Sequence, residues 1–136
     1  MAVSPLRPIP LELQLEAACS LELRTLNELL GPYGFRWHPR SSSRVSDYKH
    51  FFTFSSTDLL SYLGRNSATC EKLLMHSYDQ RSSPNTFVEE HGGKYRVGWC
   101  NRDGKLSDVE EFDKPEEAAA DYVLFTLGLR RLRCRS

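Results

Sequence analysis

A chain of 136 residues with 40% hydrophobic and 26% charged side chains can fill one core but not two, and its usage is that of an ordinary globular protein rather than a disordered or fibrous one. Charged residues interrupt every leucine-rich run before it reaches the roughly 18 apolar residues a membrane span needs. Residues 1–10 hold one arginine and three prolines without a continuous apolar segment, so neither an integral membrane protein nor a secretory leader is expected, and the chain reads as cytoplasmic.

Formal net charge is zero but unevenly spread. Residues 85–121 carry ten acidic against five basic residues, whereas 129–136 carry four arginines and no acid. Such asymmetry points to a partner surface. The four cysteines, Cys19, Cys70, Cys100 and Cys134, show no spacing suited to zinc and read as reduced thiols. Two disulfides would require an oxidising compartment.

The chain is expected to form a single α+β domain, with 1–10 and 129–136 as flexible tails. Leu11 to Leu30 reads as one leucine-rich helix, preceded by Pro8 and Pro10 and stopped by Gly31-Pro32. Leu11 to Glu16 alternates strictly, which also suits a strand, but Ala17, Ala18, Leu26, Leu29 and Leu30 continue the apolar character at helical spacing. Phe35 to Trp37 and the aromatic stretch Tyr48 to Phe54 read as short central strands, separated by an exposed loop at Ser41-Ser42-Ser43. Ser55 to Asp58 offers N-caps for a helix ending near Gly64, and a second helix starts near Ser67.

After a turn-like stretch from Arg81 to Asn85 the pattern switches to β. Thr86 to Glu89, Lys94 to Cys100 and Lys105 to Phe112 predict a three-stranded antiparallel meander, turning at Gly92-Gly93 and at Asn101-Arg102-Asp103-Gly104. Tyr95, Val97 and Trp99 share one face of the middle strand, and Trp99 is expected to pack beneath the last helix. Asp113 is a candidate N-cap for that helix, with Pro115 in its first turn. It runs to about Leu127 and covers the meander through Ala118, Ala119, Tyr122, Val123 and Leu127, with Gly128 as its stop.

No catalytic or metal-binding arrangement stands out, and no cofactor is expected. His76 and Asp79 lie three apart on a helix, yet further ligands are not identified by spacing. His91 and Cys100 form a conceivable pair across the hairpin. Gly92-Gly93 lacks the longer glycine pattern that cradles phosphates. Members of the adjacent pair Glu110-Glu111 point to opposite faces of a strand, against shared acid/base work.

Collectively, Glu89, Glu90, Asp108, Glu110, Glu111 and Asp113 form an acidic neighbourhood that could draw in a basic partner, with Tyr95 as an aromatic anchor. The plain alternative is a solvated sheet edge kept soluble by charge. The tail arginines Arg130, Arg131, Arg133 and Arg135 raise a nucleic-acid role, but no recognition helix or aromatic RNA-binding signature accompanies them.

Three segments carry a resemblance: Leu29-Leu30-Gly31-Pro32-Tyr33-Gly34-Phe35, Gly92-Gly93-Lys94-Tyr95-Arg96-Val97, and Phe112 to Leu127 with its Glu-Glu-Ala-Ala-Ala run. In their order they resemble the small immunity proteins of bacterial polymorphic-toxin and contact-dependent growth inhibition systems. The resemblance implies a cytoplasmic toxin inhibitor with no catalytic centre, which occludes a cognate toxin domain, such as a basic nuclease, by protein–protein interaction. A regulatory or nucleic-acid-binding module using the arginine tail, and a small hydrolase using Cys100 or a histidine, are the rival expectations.

Overall fold

The leucine-rich N-terminal region is two helices instead of one: α1 (Leu11–Ser20) and α2 (Leu23–Leu30). The break has a local cause. Ser20 Oγ donates to the Ala17 carbonyl at 2.7 Å, offering that carbonyl a partner outside the helix, and Leu21 turns left-handed at φ 53°. Glu22 is extended and α2 restarts from its carbonyl, which accepts from the Leu26 amide at 2.9 Å. The chain described by this computed structural model comprises residues 5–40, 44–79 and 85–129, with backbone alone for 76–79 and Asn85. The serine loop at 41–43, the turn-like stretch at 81–84 and the tail arginines lie outside the described residues.

Residues 5–10, expected as part of a tail, pack on the fold. The Leu6 amide donates to the Tyr33 carbonyl at 2.9 Å and Ile9 is buried. Two central strands were expected, and neither forms. The segment 35–40 is irregular, and Val45–Phe51 is a 3₁₀ stretch kinked at Tyr48. Tyr48 and Phe51 are three residues apart, so a 3₁₀ turn aligns both on one side, where they meet Phe35 at ring-centroid distances of 4.3 and 5.2 Å. Aromatic content suggested a pleated surface; burial at three-residue spacing won instead.

The chain is extended at Phe52 and again at Ser55, and between them the Thr53 amide has a side chain as its partner. The buried Gln14 carboxamide accepts from the Thr53 amide at 2.7 Å and donates to the Ile9 carbonyl at 2.9 Å, tying three separate segments together. Helix α3 (Ser56–Arg65) then starts from a capping box. The Asp58 amide donates to Ser55 Oγ at 3.1 Å and the Ser55 amide to Asp58 Oδ2 at 2.9 Å. Helix α4 (Ser67–Asp79) buries Cys70, Leu73 and Leu74.

The meander forms as expected, with β1 (Asn85–His91), β2 (Lys94–Cys100) and β3 (Leu106–Phe112) in that spatial order, and the α+β class is observed. Gly92 and Gly93 both take positive φ, as a two-residue hairpin turn of primed type requires. Helix α5 (Pro115–Thr126) follows. Asp113 does not cap it: the N-cap is Lys114, without a side-chain bond. At its far end the Leu129 amide reaches the Leu124 carbonyl at 2.7 Å and the Gly128 amide the Phe125 carbonyl at 3.1 Å, with Gly128 at φ 78°, a Schellman stop.

Helix α5 does more than lay one face on the sheet. Every residue from Ala118 to Leu124 is buried, because α5 packs against all three strands on one side and against α3 and α4 on the other. Alanines at 118, 119 and 120 keep its surface thin enough for this close approach. One continuous core runs from Ile9 to Leu127. Replacing Ala119, which is fully buried, with leucine should lower stability to urea by about 1–3 kcal/mol through overpacking, with little change in the denaturant slope.

Candidate partner-binding surface

Strand alternation and register divide the meander into two faces. Thr86, Val88, Val97, Tyr95, Trp99 and Phe112 pair across the sheet on the side that meets α5. Thr86, Val88 and Val97 are buried there; Tyr95, Trp99 and Phe112 are half-buried. Trp99 is held by its ring N–H donating to Asn101 Oδ1 at 3.0 Å. The opposite face carries Phe87, Glu89 and His91 from β1, Lys94, Arg96 and Gly98 from β2, and Leu106, Val109 and Glu111 from β3. On that face His91, Lys94, Leu106, Val109 and Glu111 are exposed and Phe87, Glu89 and Arg96 half-buried.

The acidic residues singled out in the sequence do not form one patch. Glu89 and Glu111 flank Arg96 on the bare face, through the pairs Glu89↔Arg96 and Arg96↔Glu111. Glu90, Tyr95 and Glu110 belong to the other side, aligned with the pairs Glu90↔Tyr95 and Val97↔Glu110. Asp108 sits at a bulge in β3, at φ 55°. Several of the acids are also engaged within the sheet. Arg96 donates to Glu89 through two guanidinium nitrogens, and Lys94 Nζ donates to Asp113 Oδ1 at 2.7 Å. That hydrogen bond raises the Lys94 pKa and lowers that of Asp113, reinforced in both by the opposite charge.

Composition alone did not reveal the apolar centre of the bare face. The register skips a residue between Val97 and Trp99, and the bulge on β3 brings Val109 over Gly98. A Cβ built on Gly98 would lie 2.9 Å from Val109 Cγ2, 3.0 Å from the Ser107 carbonyl oxygen and 3.1 Å from Phe87 Cε1. Glycine is therefore required at 98 by the side chains that close over it. Val109 and Leu106 remain 37% and 45% exposed, beside the half-buried Phe87. A glycine within an otherwise regular strand was the available signal.

The His91 and Cys100 pair does not come together. His91 pairs with Lys94 and Cys100 with Asn85, so the two stand at opposite ends of the hairpin, about 20 Å apart at strand rise. Burial pushes the Cys19 thiol up to about 12, with Cys70 adding to the shift. Burial also raises Cys70, followed by the carboxylates of Glu116 and Glu71, so both thiols stay protonated at neutral pH and poorly nucleophilic. The side chains of His76 and Asp79 lie outside the described residues. Among the described residues no group of three or more His, Cys, Asp or Glu side chains could hold a metal.

A cleft of about 180 Å³ lies between α3 and α5, lined by Ser56, Thr57, Leu60, Phe112, Glu117 and Asp121 among others, and by neither histidine nor cysteine. Among the described residues no helix is long and apolar enough to cross a membrane. No protein-family model, curated protein or solved structure matches the chain.

The closure of Val109 and Phe87 over Gly98 has a measurable signature. Alanine at 98 should destabilise by about 1–2 kcal/mol despite its better strand propensity, and Val109→Ala in the same background should recover part of that loss. A double-mutant cycle read by urea unfolding measures the coupling; strict additivity would mean that the two side chains do not meet.

Proposed function

We propose that the chain acts by binding another protein through the bare face of the meander, as a cytoplasmic immunity protein that occludes a bacterial toxin domain. The observation that carries this reading is the exposed apolar pair Leu106 and Val109 around Gly98, on a sheet face that the described helices leave uncovered. Apolar side chains grouped on a sheet and rimmed by charge are characteristic of a surface that is desolvated on association.

Glu89 and Glu111 stand against Lys94 and Arg96 on this face, so the rim is of mixed sign, with Glu111 exposed next to Val109. A basic partner, such as a nuclease domain, would be anchored on the apolar centre, with exposed Glu111 beside it to pair with a partner cation. Tyr95, Glu90 and Glu110, on the helix side of the sheet, contribute to this contact only through the strand ends and the edge of β3. Occlusion of this kind needs shape and charge but no reactive group, in keeping with the buried protonated thiols.

Coexpression with a toxin domain encoded beside the chain's own gene tests the reading. The wild type should restore growth and copurify with the toxin. The double variant Val109→Glu, Glu111→Lys should weaken binding about tenfold or more at unchanged thermal stability. Undiminished affinity in that variant, or turnover of a substrate by the purified protein, would falsify the proposal.

A further inference from the structure

A stretch rich in cations lies at the C-terminal end of α5. Between residues 36 and 50 the sequence holds Arg36, Arg40, Arg44 and Lys49 together with His38 and His50, against a single acid, Asp47. Asp47 is already engaged, its Oδ2 accepting from the Arg44 amide at 2.7 Å. Arg36, His38, Arg40, Arg44 and His50 are exposed and Lys49 is half-exposed.

The buried rings of Phe35, Tyr48 and Phe51 pack together, which brings Phe35, next to Arg36, against the segment that carries Lys49 and His50, while the Tyr48 hydroxyl donates to the Arg36 carbonyl at 3.2 Å. The Arg36 guanidinium is itself oriented, donating to the carbonyls of Gly31 at 3.0 Å and Phe35 at 2.8 Å. The C-terminal end of α5 meets the same place. A Cβ on Gly128 would lie 3.4 Å from Ser46 Cβ and 3.8 Å from Lys49 Cδ. The twelve residues of α5 put about 18 Å between this end and the exit of β3.

From this we infer that the basic surface of Arg36, His38, Arg40, Arg44, Lys49 and His50 binds the phosphate backbone of nucleic acid. One cation would suffice to complement the helix C-terminus, and the surface has several more. Three of its four cations are arginines, whose planar fork matches phosphate oxygens in pairs. Membrane binding by an interfacial helix would need an apolar face to insert, and residues 35–51 bury their Phe and Tyr rings inside the fold. A tight protein interface would need an exposed aromatic or aliphatic anchor, and Trp37 is half-buried with its amide held by Asn27 Oδ1 at 3.2 Å. Binding should follow phosphate spacing and charge without base specificity.

The test is fluorescence anisotropy of the full-length protein with labelled single-stranded and duplex DNA of about 20 nucleotides and base pairs, across salt concentrations. Affinity should fall roughly 50-fold or more between about 50 and 200 mM salt. Arg40→Ala with Arg44→Ala should weaken binding about tenfold at the lower salt and shallow the salt slope by about 1.4 for the single strand. The side chains of Arg40 and Arg44 are exposed, so far-UV circular dichroism and thermal unfolding should be unchanged. Absence of binding at low salt, or binding and slope unaffected by the two substitutions, overturns the inference. So does displacement of DNA by polyglutamate at equal charge, or equal affinity for phosphatidylserine vesicles.

Discussion

Burying a helix on all sides demands small residues wherever its neighbours come closest, and α5 meets the demand with three consecutive alanines. Ala118, Ala119 and Ala120 let the sheet approach from one side while α3 and α4 approach from the other. The ends of α5 remain compatible with this burial: Glu116 and Glu117 lie in the first turn, where the macrodipole favours them, and the Schellman bonds satisfy carbonyls of the last turn. Once α5 is enclosed, the helix-facing side of the meander is occupied. On the other side Leu106, Val109 and Glu111 remain exposed among the described residues.

Much of this was legible where short-range chemistry decides the backbone. Gly92-Gly93 and Asn101 to Gly104 marked the two turns, so the strands fell close to their observed limits. The Ser55 and Asp58 capping box marked the start of α3. Contacts that no pattern in the sequence announces settled the rest. The break at Leu21 depends on a local one, a Ser20 hydroxyl turning back to Ala17, and the 3₁₀ stretch at Val45–Phe51 on a longer-range one, Phe35 meeting Tyr48 and Phe51. Gln14 read as one polar residue of a helix, whereas its carboxamide stands in for a neighbouring strand at Thr53.

The acidic neighbourhood shows the same division. Strand alternation already placed Glu110 and Glu111 on opposite faces, but only the register shows that Arg96 lies between Glu89 and Glu111, and that Lys94 reaches Asp113. Charge counted along the sequence therefore overstates the charge offered to a partner on the bare face. The bulge at Asp108 also twists the β3 edge, a feature that discourages indiscriminate strand pairing and favours contact across the face. Zero net charge thus conceals an uneven spread, with mixed signs around Gly98 and an excess of cations next to the aromatic cluster of Phe35, Tyr48 and Phe51.

Native-state amide hydrogen exchange tests the enclosure of α5 most directly, since this enclosure determines which sheet face is free. Amides from Ala118 to Leu124 should be among the slowest in the protein and should exchange only through global unfolding, together with Val97 in the middle strand. Exchange of those α5 amides through local opening, faster than in α1 or the meander, would contradict an α5 held between sheet and helices.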